Sequence, residues 1–370
     1  MSESRSDADE QTGSPPSRQA IDDGNPAVFK PRFFVLDDTN IDLISFASIV
    51  GALISVSIFN VPIKLAASAA AFILLPLRLF LPKPKPPTGL VLITGASSGI
   101  GAELSYIFAE KGHEIILVGR DDKQLSAVKG NVEAKGGPSA HIVALDLSLP
   151  GAAERLYSQV KKAGFTVDVL INCAGLGGTG ETLEQPIELA ERMIITNCMS
   201  LVQLTQLFGK DMAERRCGWI LQVSSVGGWI ATPHQNIYHA TKHFVRAFSE
   251  ALSIELRAYP GVVNTQLMPG PTHTQFVTRA HAEEIVMMAA SGAMEDPKAV
   301  AMAGYKGLSN GKRMVFSSWN AALTSLLMHL APRSVHLTVA SIMNAPLRGK
   351  MRAKEPLKDQ NQREPFVDKK

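Results

Sequence analysis

The sequence predicts an α/β fold: a doubly wound, seven-stranded parallel sheet covered by helices, preceded by a membrane-associated helical segment. Three observations point there. From Gly89 onward short β-branched runs alternate with helical stretches, the pattern of parallel strands joined by crossover helices. A glycine-rich turn, Thr94–Gly101, links the first such run to an amphipathic stretch. An apolar tract from about Ile41 to Leu81 stands ahead of both.

Taken in order, residues 1–36 are rich in Ser, Asp, Gly and Pro and carry no apolar period. Such a segment buries too little surface to offset its ordering entropy, so a disordered tail is expected. Residues 37–82 are the expected membrane-anchor segment. Its halves, Ile44 to Phe59 and Leu65 to Leu81, are separated by Asn60, Pro62 and Lys64, and each is shorter than the ~20 residues of an ordinary span. Two tilted spanning helices, a hairpin in one leaflet, one anchor followed by an interfacial segment, and a buried soluble helix pair all fit. A removable signal peptide does not, because the tract lies behind an acidic tail. Arg78, Lys83 and Lys85 place the following domain on the cytosolic side, with the endoplasmic reticulum or a lipid droplet as the expected membrane. Prolines at 82, 84, 86 and 87 make residues 83–88 a stiff linker.

Residues 89–346 are expected to form the sheet domain. Its strands are predicted at Leu90–Thr94, Glu114–Val118, His141–Leu145, Val167–Ile171, Trp219–Val223, Val262–Leu267 and Arg313–Phe316. Two apolar helices, Trp319–Leu330 and Val335–Met343, flank Pro332. Capping the sheet is their expected role, with a dimer contact or a bilayer contact as alternatives. The charged stretch 347–370 reads as a second disordered tail.

Composition excludes several classes. A net charge of +3 is too small to argue for nucleic acid. Cys173, Cys198 and Cys217 form no CxxC and no His/Cys cluster at metal-ligand spacing, so neither a disulfide framework nor a metal site is expected.

The glycine turn points to a dinucleotide. Gly95, Gly99 and Gly101 let backbone approach a pyrophosphate, and Ser97, Ser98 and Ile100 sit where the next helix offers its N-terminal amides. Their spacing is three residues then one, not the commoner one then two. The second strand ends in Gly119-Arg120, a guanidinium where a carboxylate would grip a ribose hydroxyl; this favours a 2′-phosphate and hence NADP(H). Asp146, after the third strand, is placed to accept from the adenine amine. Tyr238 and Lys242 are four residues apart on one helix face, where an ammonium can favour a phenolate for proton exchange.

Together with Asp146-Leu147, the run Asn172-Cys173-Ala174-Gly175, Asn197, Ser225, and Pro269-Gly270 with Thr274, these residues resemble the short-chain dehydrogenase/reductase superfamily from roughly Leu90 to Phe316. The resemblance implies a Rossmann fold, an NADP(H) cofactor, and hydride exchange with a ketone or secondary alcohol. It implies Tyr238 as general acid/base, and Lys242 as both the group lowering its pKa and a contact to the nicotinamide ribose. Ser225, or Ser224 if the register slips by one, holds the substrate oxygen. Asn197 holds a relay water. Asn172 supports the sheet and the cofactor, and Pro269, Gly270 and Thr274 meet the carboxamide. The family usually has a second asparagine where this chain has Cys173, expected as a small buried residue rather than a reactive thiol. A homodimer or homotetramer is implied.

Met287, Met288 and Met294 suggest an adaptable apolar wall, and with the anchor segment they predict a hydrophobic substrate. A 3-ketoacyl reductase of fatty-acid elongation is the alternative enzyme. A catalytically idle NADP-binding membrane scaffold is the alternative of another class.

Overall fold

The structure, a computed structural model, describes residues 87–134, 137–282, 285–286 and 294–346. The expected tails 1–36 and 347–370, the anchor segment 37–82, the linker up to Pro86, and Met287 and Met288 lie outside the described residues. Among the described residues, no helix is long and apolar enough to cross a membrane.

Seven parallel strands make one sheet: β1 (Leu90–Thr94), β2 (Ile115–Gly119), β3 (Ala140–Ala144), β4 (Val167–Asn172), β5 (Gly218–Val223), β6 (Val262–Met268) and β7 (Met314–Phe316). Their spatial order is β3-β2-β1-β4-β5-β6-β7. The chain therefore builds outward from β1 to β3, crosses back, and builds outward again from β4. Between β1 and β4 the direction of winding reverses, which opens a crevice at the C-terminal strand ends. The expected second and third strands shift by one residue, because the parallel ladder starts where Val91 faces Ile115 and Ile115 faces Ala140. Glu114 just precedes the strand: its carbonyl accepts from Val91 N at 2.9 Å, and its carboxylate lies 2.6 Å from His141 Nε2.

The helices are α1 (Gly99–Glu110), α2 (Asp122–Ala134), α3 (Ala152–Lys162), α4 (Ile187–Ile194), α5 (Leu201–Glu214), α6 (Asn236–Glu255), α7 (Gln275–Arg279), α8 (Pro297–Ser309), α9 (Trp319–Leu330) and α10 (Arg333–Met343). Side chains alternate across a strand, so β1 feeds two cores. Val91 and Ile93 pack with Leu104 and Phe108 of α1 and Val300 of α8. Leu90 and Leu92 pack with Leu156 of α3 and Phe208 of α5. Burial on both faces explains why these strands are continuous apolar runs rather than alternating ones. Each fully buried Leu, Ile or Phe contributes roughly 1.5–3 kcal/mol, and the sheet is thereby rigid enough to position loops at its C-terminal edge.

Candidate active site

The C-terminal ends of β1, β2, β4, β5 and β6 open on a single cleft of about 870 Å³. Its first wall is the turn between β1 and α1. Gly95 and Gly99 hold φ of 68° and 56°, left-handed conformations that glycine adopts without a Cβ penalty. A Cβ on Gly95 would stand 2.9 Å from Ala174 Cα, and one on Gly101 only 2.2 Å from Gly95 O. Ser98 precedes α1 in an extended conformation, its side chain makes no capping hydrogen bond, and no acidic residue occupies the first turn. The first amides of α1 thus keep their polarity for an anion. Ser97, Ser98, Gly99, Ile100 and Gly101 all line the cleft.

The end of β2 lies against this turn: a Cβ on Gly119 would be 3.5 Å from Ser97 Oγ. Arg120, half-buried, lines the same wall. Asp146 also faces the cleft, but its carboxylate is already engaged. Oδ1 accepts from Ser148 N at 2.8 Å and from Ser148 Oγ at 2.7 Å, and Oδ2 is 3.5 Å from Arg192 Nη2. Arg192, on α4, escaped the sequence reading, because nothing in local spacing joins it to a carboxylate so distant in the chain.

Asn172 supports the sheet, as expected, but does not line the cleft. It ends β4 with its side chain in the core, where Nδ2 donates to Thr205 Oγ1 and Gln222 Oε1, both at 3.0 Å. Strand alternation turns it away from the cleft, which is lined instead by Cys173, Ala174 and Gly175. Thr94 Oγ1 fixes that loop by accepting from Cys173 N and Ala174 N, each at 3.0 Å, while donating to Ile171 O. Burial pushes the Cys173 thiol up to about 12, so it is a poor nucleophile.

Ser225, Tyr238 and Lys242 converge. Ser225 leaves β5 extended, caps the short turn Val226–Gly228 by accepting from Gly227 N at 3.0 Å, and lies near enough to the Tyr238 phenol to favour its phenolate. Ser224, the alternative, is buried and donates to Lys242 O. Tyr238 and Lys242 lie on α6, with Lys242 Nζ 5.7 Å from the Tyr238 ring centroid and donating to Val223 O at 3.0 Å. Burial pushes the Tyr238 phenol up to about 12, against the opposing effect of Ser225. The expected lowering by Lys242 does not appear: desolvation of the phenolate dominates, and Ser225 alone opposes it. Burial lowers the Lys242 ammonium to about 8. His239 is neutral, lowered by burial to about 4, and Nδ1 donates to Ile230 O at 2.6 Å. The loop entering α6 holds His234 at φ 63°, a local strain next to the site.

Asn197 stands behind the cleft wall, in a π-helical turn (Ile195–Ser200) between α4 and α5. Its side chain clamps the backbone after β4: Oδ1 accepts from Leu176 N at 2.8 Å, and Nδ2 donates to Leu176 O at 2.9 Å and Thr241 Oγ1 at 3.0 Å. A side-chain lone pair is all that remains for water.

The depressed Lys242 pKa has a consequence for stability. Its folded value lies below the unfolded 10.5, so burying the cation costs stability below about pH 8, and that cost fades as pH rises towards 10.5. The parent should therefore gain about 1–3 kcal/mol relative to Lys242→Met between pH 8 and 10, read by thermal unfolding. A gap that does not change with pH would show that the cation carries no burial cost.

Opposite the glycine turn, β6 runs into Pro269 and Gly270, and Thr274 packs on Gly99, 2.7 Å from where its Cβ would be. Pro269, Gly270 and Thr274 all line the cleft. Glu295 supports this loop, donating from N to Pro271 O at 2.6 Å and accepting from Ser318 Oγ. Phe276, Met294, Met328 and Met343 make much of the remaining wall apolar. The last two belong to α9 and α10, which thus wall the cleft rather than merely capping the sheet. Only packing reveals this, because both helices carry apolar residues on more than one face.

Comparison with known proteins follows the same residues. The family model for short chain dehydrogenase matches residues 89–285. Dehydrogenase/reductase SDR family member 7 of Homo sapiens is 32% identical over 202 residues, covering 53% of this chain and 59% of that protein. The very-long-chain 3-oxoacyl-CoA reductase of Pyrenophora tritici-repentis is 35% identical over 174 residues, 45% of this chain and 50% of that protein. The chain thus spans little more than half the length of these relatives. A solved short-chain dehydrogenase from Sphingobium yanoikuyae in complex with NADPH superposes with a TM-score of 0.58 at 27% identity, covering 66% of this chain and 97% of the other.

Proposed function

The chain belongs to the short-chain dehydrogenase family, oxidoreductases acting on CH–OH and C=O groups, and from that premise we propose an NADP(H)-dependent carbonyl reductase or alcohol dehydrogenase working on a hydrophobic substrate at a membrane. The observation that carries this reading is one cleft joining the glycine turn, the Ser225–Tyr238–Lys242 cluster and an apolar wall.

The residues fit the cofactor. Gly95, Gly99 and Gly101 leave a cradle that any Cβ would fill, and the uncapped start of α1 suits a pyrophosphate. Arg120 suits a 2′-phosphate, and Asp146 Oδ2, with one contact of 3.5 Å to Arg192, retains a lone pair for the adenine amine. Pro269, Gly270 and Thr274 suit the carboxamide. When bound, NADP(H) supplies or takes up the hydride.

The chain's own groups handle the proton. With its phenol raised to about 12, Tyr238 is protonated at neutral pH, the form a donor needs in reduction. Lys242, cationic below about 8, offsets negative charge as the proton leaves Tyr238. Ser225 directs its hydroxyl at the substrate oxygen, where charge develops. Asn197 positions the loop beside them and retains a lone pair for a relay water.

Two measurements test this on the full chain. Arg120→Ala should weaken NADPH binding by about 10–100-fold while leaving NADH little changed; equal losses for both would sink the 2′-phosphate role. Across ketones of increasing apolar length, kcat/KM with NADPH should rise by up to about fourfold per buried methylene, as ~0.8 kcal/mol each implies. A flat response would count against a hydrophobic substrate.

The similarity to the very-long-chain 3-oxoacyl-CoA reductase favours a second reading, the same chemistry on a long-chain 3-oxoacyl thioester. Turnover of the thioester with none of the simple ketones would select it. A homodimer or homotetramer belongs to the proposal, since Ile187, Ile194, Met199 and Phe244 expose apolar surface on α4–α6. A monomer by sedimentation would remove it.

A further inference from the structure

Helix α9 has two apolar sides. Ala321, Thr324 and Met328 face the cleft. Trp319, Leu323, Leu326, Leu327 and Leu330 form a separate stripe at i, i+4, i+7, i+8 and i+11, and Trp319 and Leu330 are 78% and 70% exposed. Helix α10 divides in the same way: Ala340 and Met343 line the cleft, while Val335 and Ile342 are exposed. A stripe of this size on consecutive helices is more than scattered surface apolarity.

Charge identifies what covers it. From Pro297 through Lys354 the sequence holds no Asp or Glu, whereas Arg333, Arg348, Lys350, Arg352 and Lys354 fall in or just after these helices. A second copy meeting this face through a two-fold axis would bring like charge onto like charge. A surface that is apolar inside and anionic at its rim matches both features, and an amphipathic helix with an end tryptophan is suited to the headgroup boundary.

We propose that the exposed face of α9 and α10 lies on an anionic lipid bilayer, so that the helices walling the cleft also meet the membrane and a hydrophobic substrate enters the cleft between or beside them. This rests on the reading of a hydrophobic substrate given above, and it assigns the contact to the C-terminal helices independently of residues 37–82. The inner residues of α9 and α10 recognise the substrate, and the outer residues sit in the lipid that supplies it.

Trp319 reports the contact directly. The full chain is mixed with phosphatidylcholine vesicles containing phosphatidylserine, with or without brominated acyl chains that quench nearby indoles. Trp219 is 1% exposed in the sheet core and Trp229 is half-buried between Arg246 and His329 of α9, whereas Trp319 is 78% exposed, so most of the quenched emission should be that of Trp319. Quenching should fall by more than half in Trp319→Phe, and fall too when phosphatidylserine is omitted or salt is raised. Leu327→Glu with Leu330→Glu should abolish it while NADPH binding persists, which shows the domain intact.

Quenching unchanged in Trp319→Phe would overturn the proposal. So would vesicle flotation without Trp319 quenching, since another segment would then hold the membrane. An unquenched dimer dissociated by Leu330→Glu would assign the face to a second copy instead. NADPH titration of the same samples separates the two readings. Quenching without NADPH binding leaves the docking face standing and removes the enzymatic proposal; NADPH binding without quenching does the reverse.

Discussion

Tyr238→Phe lowers turnover by about 10²–10⁴-fold and leaves NADPH affinity nearly unchanged. The substitution removes only the hydroxyl. The ring remains against Phe276, 5.3 Å between centroids, and against His239, so packing in the cleft is preserved. What disappears is the proton source and the phenol's polar interaction with Ser225. Steady-state turnover of a hydrophobic ketone measures the first loss, and NADPH fluorescence titration checks that binding survives. A variant retaining turnover within tenfold would show that another group moves the proton. A chain that acts only as an NADP-binding scaffold would lose nothing measurable in its cellular role.

Gly101→Ala is the second large effect, and helix propensity argues for the opposite sign. Alanine is favoured over glycine inside a helix by about 1 kcal/mol. At Gly101, however, the new Cβ would lie 2.2 Å from Gly95 O and 2.8 Å from Gly95 C. These are backbone atoms of the turn that α1 must touch, so they cannot move aside as a side chain would. The clash should cost about 3 kcal/mol or more and push the turn out of its cradle shape, with at least a tenfold loss of NADPH affinity. Gly130→Ala is the control. It lies within α2, where a Cβ meets nothing within 4 Å, and it should stabilise the protein by up to about 1 kcal/mol. Thermal melts of both variants, with NADPH titration, test the pair. A Gly101→Ala protein as stable and as tight-binding as the parent would mean that the close approach of α1 to Gly95 is not required.

Much of the site was legible because its determinants are local. The glycine spacing at 95, 99 and 101 demands an unusual turn wherever it occurs, and the four-residue separation of Tyr238 and Lys242 places them on one face of any helix. Other features are not local. Asn172 braces the sheet as expected, but strand alternation and the partners Thr205 and Gln222, which keep its side chain out of the cleft, are not local. Lys242 was expected to lower the tyrosine pKa, but sequence carries no measure of burial, and burial dominates both groups.

Strand–helix alternation, the glycine turn and the shared helix face of Tyr238 and Lys242 follow from the order of residues, because turn geometry and helical periodicity act over a few neighbouring positions. Tertiary structure alone decided which side chains meet across the cleft. Arg192 reaches Asp146, Glu295 braces the loop after β6, and Met328 and Met343 close the apolar wall. Each joins segments far apart in the chain, brought together by the strand order of the sheet, and no local pattern encodes such a contact.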